Sequence, residues 1–431
     1  MAISQQKSQI HRTVLSNGIV LLVTENPACD IVAGRIFIRA GSCHENREQA
    51  GLAHLLSTVL TKGCDGLSSL EIAEQVESLG ASLGTDVTSD YFLLSLKTIT
   101  TDFPEILTLA ARILRSPTFP ESEVELERRI TLQNINSQKE QPFSVAFDKL
   151  RKAMYGNHPY GVSILGEESS VSGLTGADLS HFHHQYFRPD NIIISIAGRI
   201  NPSQATDLVE QVFGDWQIPD MELPTLNLSA IPVAPQQITT PQNTQQSIVM
   251  LGYLTASMHS PDYGTLKLLS TYLGNGLSSR LFVELREKQG LAYEVSAFYP
   301  TRVFPASFVV YMGTAPENTY KALSGLYKEV ELLSTSKLSP ASLQACKNKI
   351  LGQYALSKQT NAQIAQIYGW YELMGLGVEF DSQFQEIILQ VNAEQAIAAA
   401  RQYLREPYVS LLGQEPSVNS ALEQFSRGIP Q

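Results

Sequence analysis

The chain repeats itself, and a repeat of this length limits the fold to two copies of one unit. His54-Leu-Leu-Ser-Thr-Val-Leu60 aligns with Lys267-Leu-Leu-Ser-Thr-Tyr-Leu273, and Gly66-Leu-Ser-Ser69 aligns with Gly276-Leu-Ser-Ser279, at separations of 213 and 210 residues. A shorter loop accounts for the difference of three. Further on, Tyr91-Phe-Leu-Leu-Ser-Leu-Lys-Thr98 matches Ser307-Phe-Val-Val-Tyr-Met-Gly-Thr314 in its pattern of apolar positions. A period above about 200 residues marks duplicated domains, since solenoid units repeat every 20–50. The total of 431 residues also exceeds what one core commonly supports, about 250–300.

The order of elements is similar in the two halves. In the first, Ile19 to Val23 and Ile31 to Ile38 are β-rich runs, followed by an apolar helix from about Gly51. Residues 68–80 place Leu70, Ala73, Val76 and Leu79 at helical spacing. Leu83 to Val87 and Tyr91 to Leu96 read as a hairpin, residues 102–115 and 120–154 as helices, and Asn191 to Gly198 as a buried strand. In the second, Ser247 to Tyr253 is a strand, 261–273 and 279–289 are helices, and Ala292 to Phe298 with Ser307 to Met312 is the hairpin. Helices near 317–334, 339–357, 361–374 and 393–404 follow, and Tyr408 to Leu412 closes the sheet. The expected class is α+β: two homologous domains, 1–216 and 246–431, each a sheet with helices on one face. Residues 217–245, with Pro219, Pro224, Pro232, Pro235 and Pro241, read as a stiff linker placing the domains as half-shells of a clam.

Composition excludes several partners. Lys plus Arg is 31 against 42 Asp plus Glu, a net charge of −11, which argues against nucleic acid and anionic membrane. Cys29, Cys43, Cys64 and Cys346 are scattered without a C-x-x-C, the pattern of reduced thiols. The stretch Met1-Ala-Ile-Ser-Gln-Gln-Lys-Ser-Gln-Ile-His11 lacks an apolar core, and no run approaches the roughly 18 apolar residues of a spanning helix. The expected location is cytoplasmic. No phosphate-binding glycine loop is present.

The chemistry concentrates in two motifs. Inverted zinc peptidases carry H-x-x-E-H, in which two histidines on one helical face grip the metal and the glutamate activates a water. The corresponding pentad here is His54-Leu-Leu-Ser57-Thr58, with one ligand kept and the base and second ligand replaced by hydroxyls. Its surroundings, Ala50, Gly51, Ala53, Lys62 and Gly63, match A-G-x-A-H-x-x-E-H-x-x-x-K-G, and the sequence resembles the pitrilysin and mitochondrial-processing-peptidase family. The resemblance implies a third ligand on a downstream helix, at a position held here by Asn134 of Glu127-Arg-Arg-Ile-Thr-Leu-Gln-Asn134. A lone imidazole beside hydroxyls and a neutral amide does not hold zinc. His54 by itself reads as a partly buried helix histidine.

The second motif is complete. Gly276-Leu-Ser-Ser-Arg280-Leu-Phe-Val-Glu-Leu-Arg286-Glu-Lys-Gln-Gly290-Leu-Ala-Tyr293 resembles the family's G-x-S-S-R-L…L-R-E-K-x-G-L-A-Y. By that resemblance Arg286 and Tyr293 bind the substrate backbone and steady the tetrahedral intermediate, a role suited to a guanidinium and a phenol in a water-excluded site. Arg280 is a weaker candidate for the same surface, and an ordinary surface ion pair at Arg286 with a core Tyr293 is the bland alternative. Gly156-Asn-His158-Pro-Tyr-Gly161 and Gly166 resemble the family's G-x-H-P-Y-G turn, with His158 structural. His181, His183 and His184 are near neighbours on one helix, so their rings point apart and read as no metal site.

The resemblance therefore implies a zinc-less subunit of a heterodimeric processing endopeptidase. It carries no cofactor itself, donates Arg286 and Tyr293 to a homologous partner bearing zinc, and acts on an extended peptide. The alternatives are a scaffold or peptide-binding protein with no role in proteolysis, and a self-sufficient zinc peptidase with unconventional ligands.

Overall fold

A computed structural model of the chain describes residues 10–228 and 230–428. Most of the N-terminal stretch read above for a leader, residues 1–9, lies outside the described residues. Among the described residues no helix is long and apolar enough to cross a membrane.

The strands bear out the duplication. One sheet has the order β1 (Ile10–Val14), β2 (Val20–Glu25), β8 (Ile192–Gly198), β3 (Val32–Ile38), β7 (Phe92–Thr98), β6 (Ser82–Val87). The other has β9 (Gln237–Pro241), β13 (Tyr408–Gly413), β10 (Ser247–Thr255), β12 (Ala306–Thr314), β11 (Glu294–Phe298). Apart from β1 the two orders correspond strand for strand, and the single parallel pairing of each, β2 with β8 and β9 with β13, falls at the same place. A small ribbon, β4 (Gly63–Cys64) with β5 (Leu67–Ser68), lies outside both sheets.

The chain is an α+β protein of two compact units, and each unit borrows a helix from the other half of the sequence. One unit comprises the chain up to Ile135 with Ser163–Asn227 and Tyr354–Asp381; the other comprises Asn136–Val162, Leu228–Gln353 and Ser382 onward. In the first unit Val32, Ile36, Ile192, Ile194 and Ile196 face a core built with the helices Leu52–Val59 and Phe103–Arg115. The opposite face carries Phe37 and Ser195, and the helix Asn361–Leu373 lies on it. Every residue of β8 is accordingly buried, as expected of a strand covered on both sides. In the second unit the borrowed helix is Pro142–Tyr155, lying on β10 and β13, where the Ser410 hydroxyl donates to the Ala146 carbonyl at 2.9 Å.

Gly369 shows how closely the borrowed helix docks. A Cβ there would sit 2.3 Å from Phe37 Cε2 and 2.9 Å from Ser195 Cβ. Gly369→Ala is expected to lower the stability of the first unit by about 1–3 kcal/mol, the cost of overpacking a filled core. Chemical denaturation of wild type and variant checks this.

Three sequence expectations need correction. The helix expected over 120–154 is two, Glu121–Glu140 and Pro142–Tyr155, because Pro142 starts a new helix and Gln141 before it is extended. The helix expected over 279–289 is a π-helical turn, Phe282–Glu287. Part of the Pro-rich stretch forms β9, a sheet edge whose last residue is Pro241, a position proline tolerates.

Candidate functional site

The helix Leu52–Val59 starts where two glycine backbones meet. Gly51 has φ 97° and Gly166 has φ 79°, and a Cβ on Gly166 would lie 2.1 Å from the Ala50 carbonyl oxygen. Only glycine fits there, which explains why both stand out in the sequence. The Glu45 carboxylate accepts from the Gly51 and Ala53 N–H groups at 3.0 and 2.6 Å, satisfying donors that a helix N-terminus leaves free.

Every residue of this helix is buried except His54 and Thr58. The positions one turn apart that would grip a metal are thus the two that remain open, although the second of them is a threonine. Ser57 donates its hydroxyl to the His54 carbonyl at 2.7 Å, and Thr58 donates to the Leu55 carbonyl at 2.9 Å. Thr85 of β6 donates to the Ser57 carbonyl at 2.6 Å. Both hydroxyls are turned back on their own helix. Burial lowers the His54 pKa, while the carboxylates of Asp86 and Glu127 pull it back up.

Asn134 is exposed on the helix Glu121–Glu140. Two turns earlier on that helix, Glu127 forms an ion pair with Lys62 at 3.0 Å and is largely shielded from solvent. Among the described residues no three His, Cys, Asp or Glu side chains gather as a metal site. The donor set at the inverted motif is one imidazole, two occupied hydroxyls and a neutral amide, which does not fit zinc.

His158, His183 and His184 are engaged in local hydrogen bonds. His183 is buried between Phe119 and Phe187, with Nε2–H donating to the Leu114 carbonyl at 2.9 Å. The rings of His183 and His184 stand at 88° with centroids 5.7 Å apart, and His184 Nδ1–H donates to the Ser180 carbonyl at 2.7 Å, so the expected divergence is observed. His158 is buried and its Nδ1 accepts from the Tyr160 N–H at 3.1 Å, shaping the turn.

Burial lowers the His183 and His158 pKa values to about 4. The ordinary value lies near 6.5, so their contribution is present above that pH and is lost as pH falls through the folded value. Stability is expected to drop between roughly pH 6.5 and 4. His183→Gln should flatten that dependence by about 3 kcal/mol, which denaturant unfolding across this range reads directly.

The second motif sits on the turn Phe282–Glu287, where the Lys288 N–H reaches the Val283 carbonyl at 3.1 Å, a π-helical spacing often found at functional sites. Arg286 is exposed, its guanidinium over the Phe282 ring at 4.8 Å. Tyr293 is 68% exposed although its backbone is fixed, with N–H donating to the Gly313 carbonyl at 3.1 Å. Neither side chain has an ion pair or a hydrogen bond among the described residues. Two polar side chains therefore project from a fixed backbone with their donors free. Tyr293 leads directly into β11, whose outer side is an unpaired sheet edge.

Arg280 is otherwise engaged. Its Nε donates to Glu329 at 2.6 Å and its Nη1 lies 3.3 Å from Glu284. These ion pairs occupy much of its guanidinium. Lys267, which takes the place of His54 in the repeat, donates Nζ–H to the Tyr299 carbonyl at 2.9 Å, and burial lowers its pKa to about 8. The pentads of the two halves differ only at this residue, Ser57 and Thr58 recurring as Ser270 and Thr271.

A duplicated α+β unit, one copy with the single imidazole of His54 on the helix Leu52–Val59 and the other with exposed Arg286 and Tyr293, has the build of a zinc-peptidase-like chain. The chain belongs to peptidase family M16: the profile "Insulinase (Peptidase family M16)" matches residues 20–168 and "Peptidase M16 inactive domain" matches 173–350. It is 28% identical over 408 residues to the uncharacterized zinc protease YmxG of Bacillus subtilis, covering 94% of this chain and 98% of that protein. It is 26% identical over 418 residues to the uncharacterized zinc protease Rv2782c of Mycobacterium tuberculosis, covering 96% and 95%. The fold is similar to that of a crystal structure described as a peptidase M16 inactive domain from Pseudomonas fluorescens, at TM-score 0.84 and 24% identity over 95% of this chain and all of that one. A protease from Helicobacter pylori is similar at TM-score 0.86 and 20% identity, over 94% and 99%.

Proposed function

We propose that this chain is the zinc-less subunit of a heterodimeric processing endopeptidase, giving Arg286 and Tyr293 to a homologous partner that carries H-x-x-E-H. The observation that carries the reading is the contrast between the motifs. At the inverted site the hydroxyls are turned inward and a neutral amide stands at the third position. On the other unit the Arg286 and Tyr293 side chains are exposed, the first on the π-helical turn and the second just before β11, where its N–H is anchored to the Gly313 carbonyl. Chemistry that needs metal and base falls to the partner; hydrogen bonding to the reacting carbonyl falls to this chain.

Arg286 brings a permanent charge and a planar set of donors, and Tyr293 a phenolic O–H. Both suit the negative oxygen that develops as a peptide carbonyl becomes tetrahedral. The open edge of β11 beside Tyr293 fits an extended peptide, which would add as a strand through main-chain hydrogen bonds. The test is peptide cleavage by the chain reconstituted with its H-x-x-E-H homologue. The isolated chain is expected to cleave nothing. Full activity of an Arg286→Ala, Tyr293→Phe double variant would leave a scaffold or peptide-binding role. Stoichiometric zinc on the isolated chain that is lost in His54→Ala would instead mean a self-sufficient peptidase.

A further inference from the structure

The turn that carries Arg286 is locked to the helix Thr319–Thr335 through two residues one helical turn apart. At Gly325 the missing side chain leaves a socket: a Cβ there would lie 2.9 Å from Leu285 Cδ2. Leu285, at 1% exposure, is the residue immediately before Arg286 and fills that socket. At Glu329, four residues on, a buried carboxylate receives Arg280, with Nε–H at 2.6 Å and Nη2–H at 3.5 Å. Arg280 also reaches Glu284 at 3.3 Å, and Glu284 reaches Lys288 at 2.9 Å, so the charges run along the turn. Beyond it, the Thr314 hydroxyl donates to the Leu291 carbonyl at 2.6 Å and ties the segment down just before Tyr293.

We propose that Arg280 and Glu329, with Gly325 as socket, are positioning residues that hold the π-helical turn so that Arg286 and Tyr293 present their donors to the peptide. The proposal rests on the subunit function given above. Its physical basis is that donors to a developing oxyanion act only when fixed, and a misplacement of about 1 Å costs roughly 10²-fold in rate. A π-helical turn replaces the regular i to i+4 ladder by the wider i to i+5 spacing, as in Lys288 N–H to the Val283 carbonyl, and side-chain anchors outside the turn add to its hold. A partly buried ion pair is a directional anchor, because removing one member leaves the other charge unpaired.

The test uses the full chain alone and reconstituted with its H-x-x-E-H homologue. In the isolated chain, Glu329→Gln is expected to speed amide hydrogen exchange over residues 282–293, with the rest of the protection pattern unchanged. In the pair it is expected to lower kcat/KM about tenfold to a hundredfold, mainly through kcat. Glu329→Asp should recover part of this, and the exchanged pair Arg280→Glu, Glu329→Arg most of it. Placed on an Arg286→Ala, Tyr293→Phe background, Glu329→Gln should add little further loss, since a positioning residue acts through the groups it holds. If Glu329→Gln does not fold, the apolar replacement Arg280→Met, Glu329→Leu keeps the volume without a stranded charge and is read in the same way.

Unchanged exchange at 282–293 overturns the proposal. So does wild-type activity of a loosened variant when Arg286→Ala is impaired, or full additivity with the Arg286 and Tyr293 changes. Full activity of Arg286→Ala overturns the subunit function instead, and the locking of the turn is then decided by the exchange measurement alone.

Discussion

Arg286→Ala or Tyr293→Phe is expected to reduce kcat/KM of the reconstituted peptidase by about 10²–10³, the usual cost of one oxyanion donor. The reason is local. Arg286 is exposed and makes no ion pair among the described residues; its one neighbour of note is the Phe282 ring at 4.8 Å. Truncating it breaks no internal salt bridge, so the fold, the heterodimer and the partner's zinc should all persist while turnover falls. Tyr293→Phe is the more delicate change, because it removes a single hydroxyl from a ring already 68% exposed. If the hydroxyl acts on the intermediate, the loss appears in kcat; if it only binds peptide, it appears in KM. Peptide kinetics with size measurement and metal analysis separate these cases. Wild-type kinetics in the double variant would defeat the subunit reading.

Thr58→His with Asn134→Glu should give the chain a zinc ion, close to one equivalent from near none. His54 and Thr58 are the only positions of Leu52–Val59 that are not buried, so an imidazole at 58 has room beside the one at 54. The helix carrying Asn134 also carries Glu127, whose charge is felt at His54 and whose carboxylate pairs with Lys62 at 3.0 Å. The three ligand positions therefore lie on elements that already adjoin. Adding Ser57→Glu supplies the base but is harder to accommodate, since Ser57 is 4% exposed and its carbonyl accepts from Thr85. Metal analysis after chelation and readdition, on the double and triple variants, is the measurement. Folded variants that take up no zinc would mean that the backbone, and not only the side chains, has departed from a metal-binding geometry.

The duplication was legible because it is written in identity: x-Leu-Leu-Ser-Thr and Gly-Leu-Ser-Ser recur in both halves, and the two sheets have corresponding strand orders. The helical breaks were less so. Residues 136–141 are polar but good enough helix formers to be read through, and the steric demand of Pro142 on its predecessor marks the join. The π-helical turn has the residues of an ordinary helix, and its contacts with Gly325 and Glu329 are made by a segment about 40 residues further on, which local periodicity does not reveal.

The sequence by itself determined which chemical groups are present. Zinc coordination depends on ligand identity, and Ser57, Thr58 and Asn134 can be read directly from the chain. Exposure is not a property of residue type, and this is where tertiary structure decided. Arg280 and Arg286 stand six apart in one motif, and either could have faced a substrate. The fold sends Arg280 to the buried Glu329 and leaves Arg286 open, because Glu329 lies on a distant helix that only folding brings beside the turn. The exchange of the helices Pro142–Tyr155 and Asn361–Leu373 between the halves is likewise a tertiary outcome. Each sheet leaves an apolar second face to be covered, and local sequence does not say which distant segment will cover it.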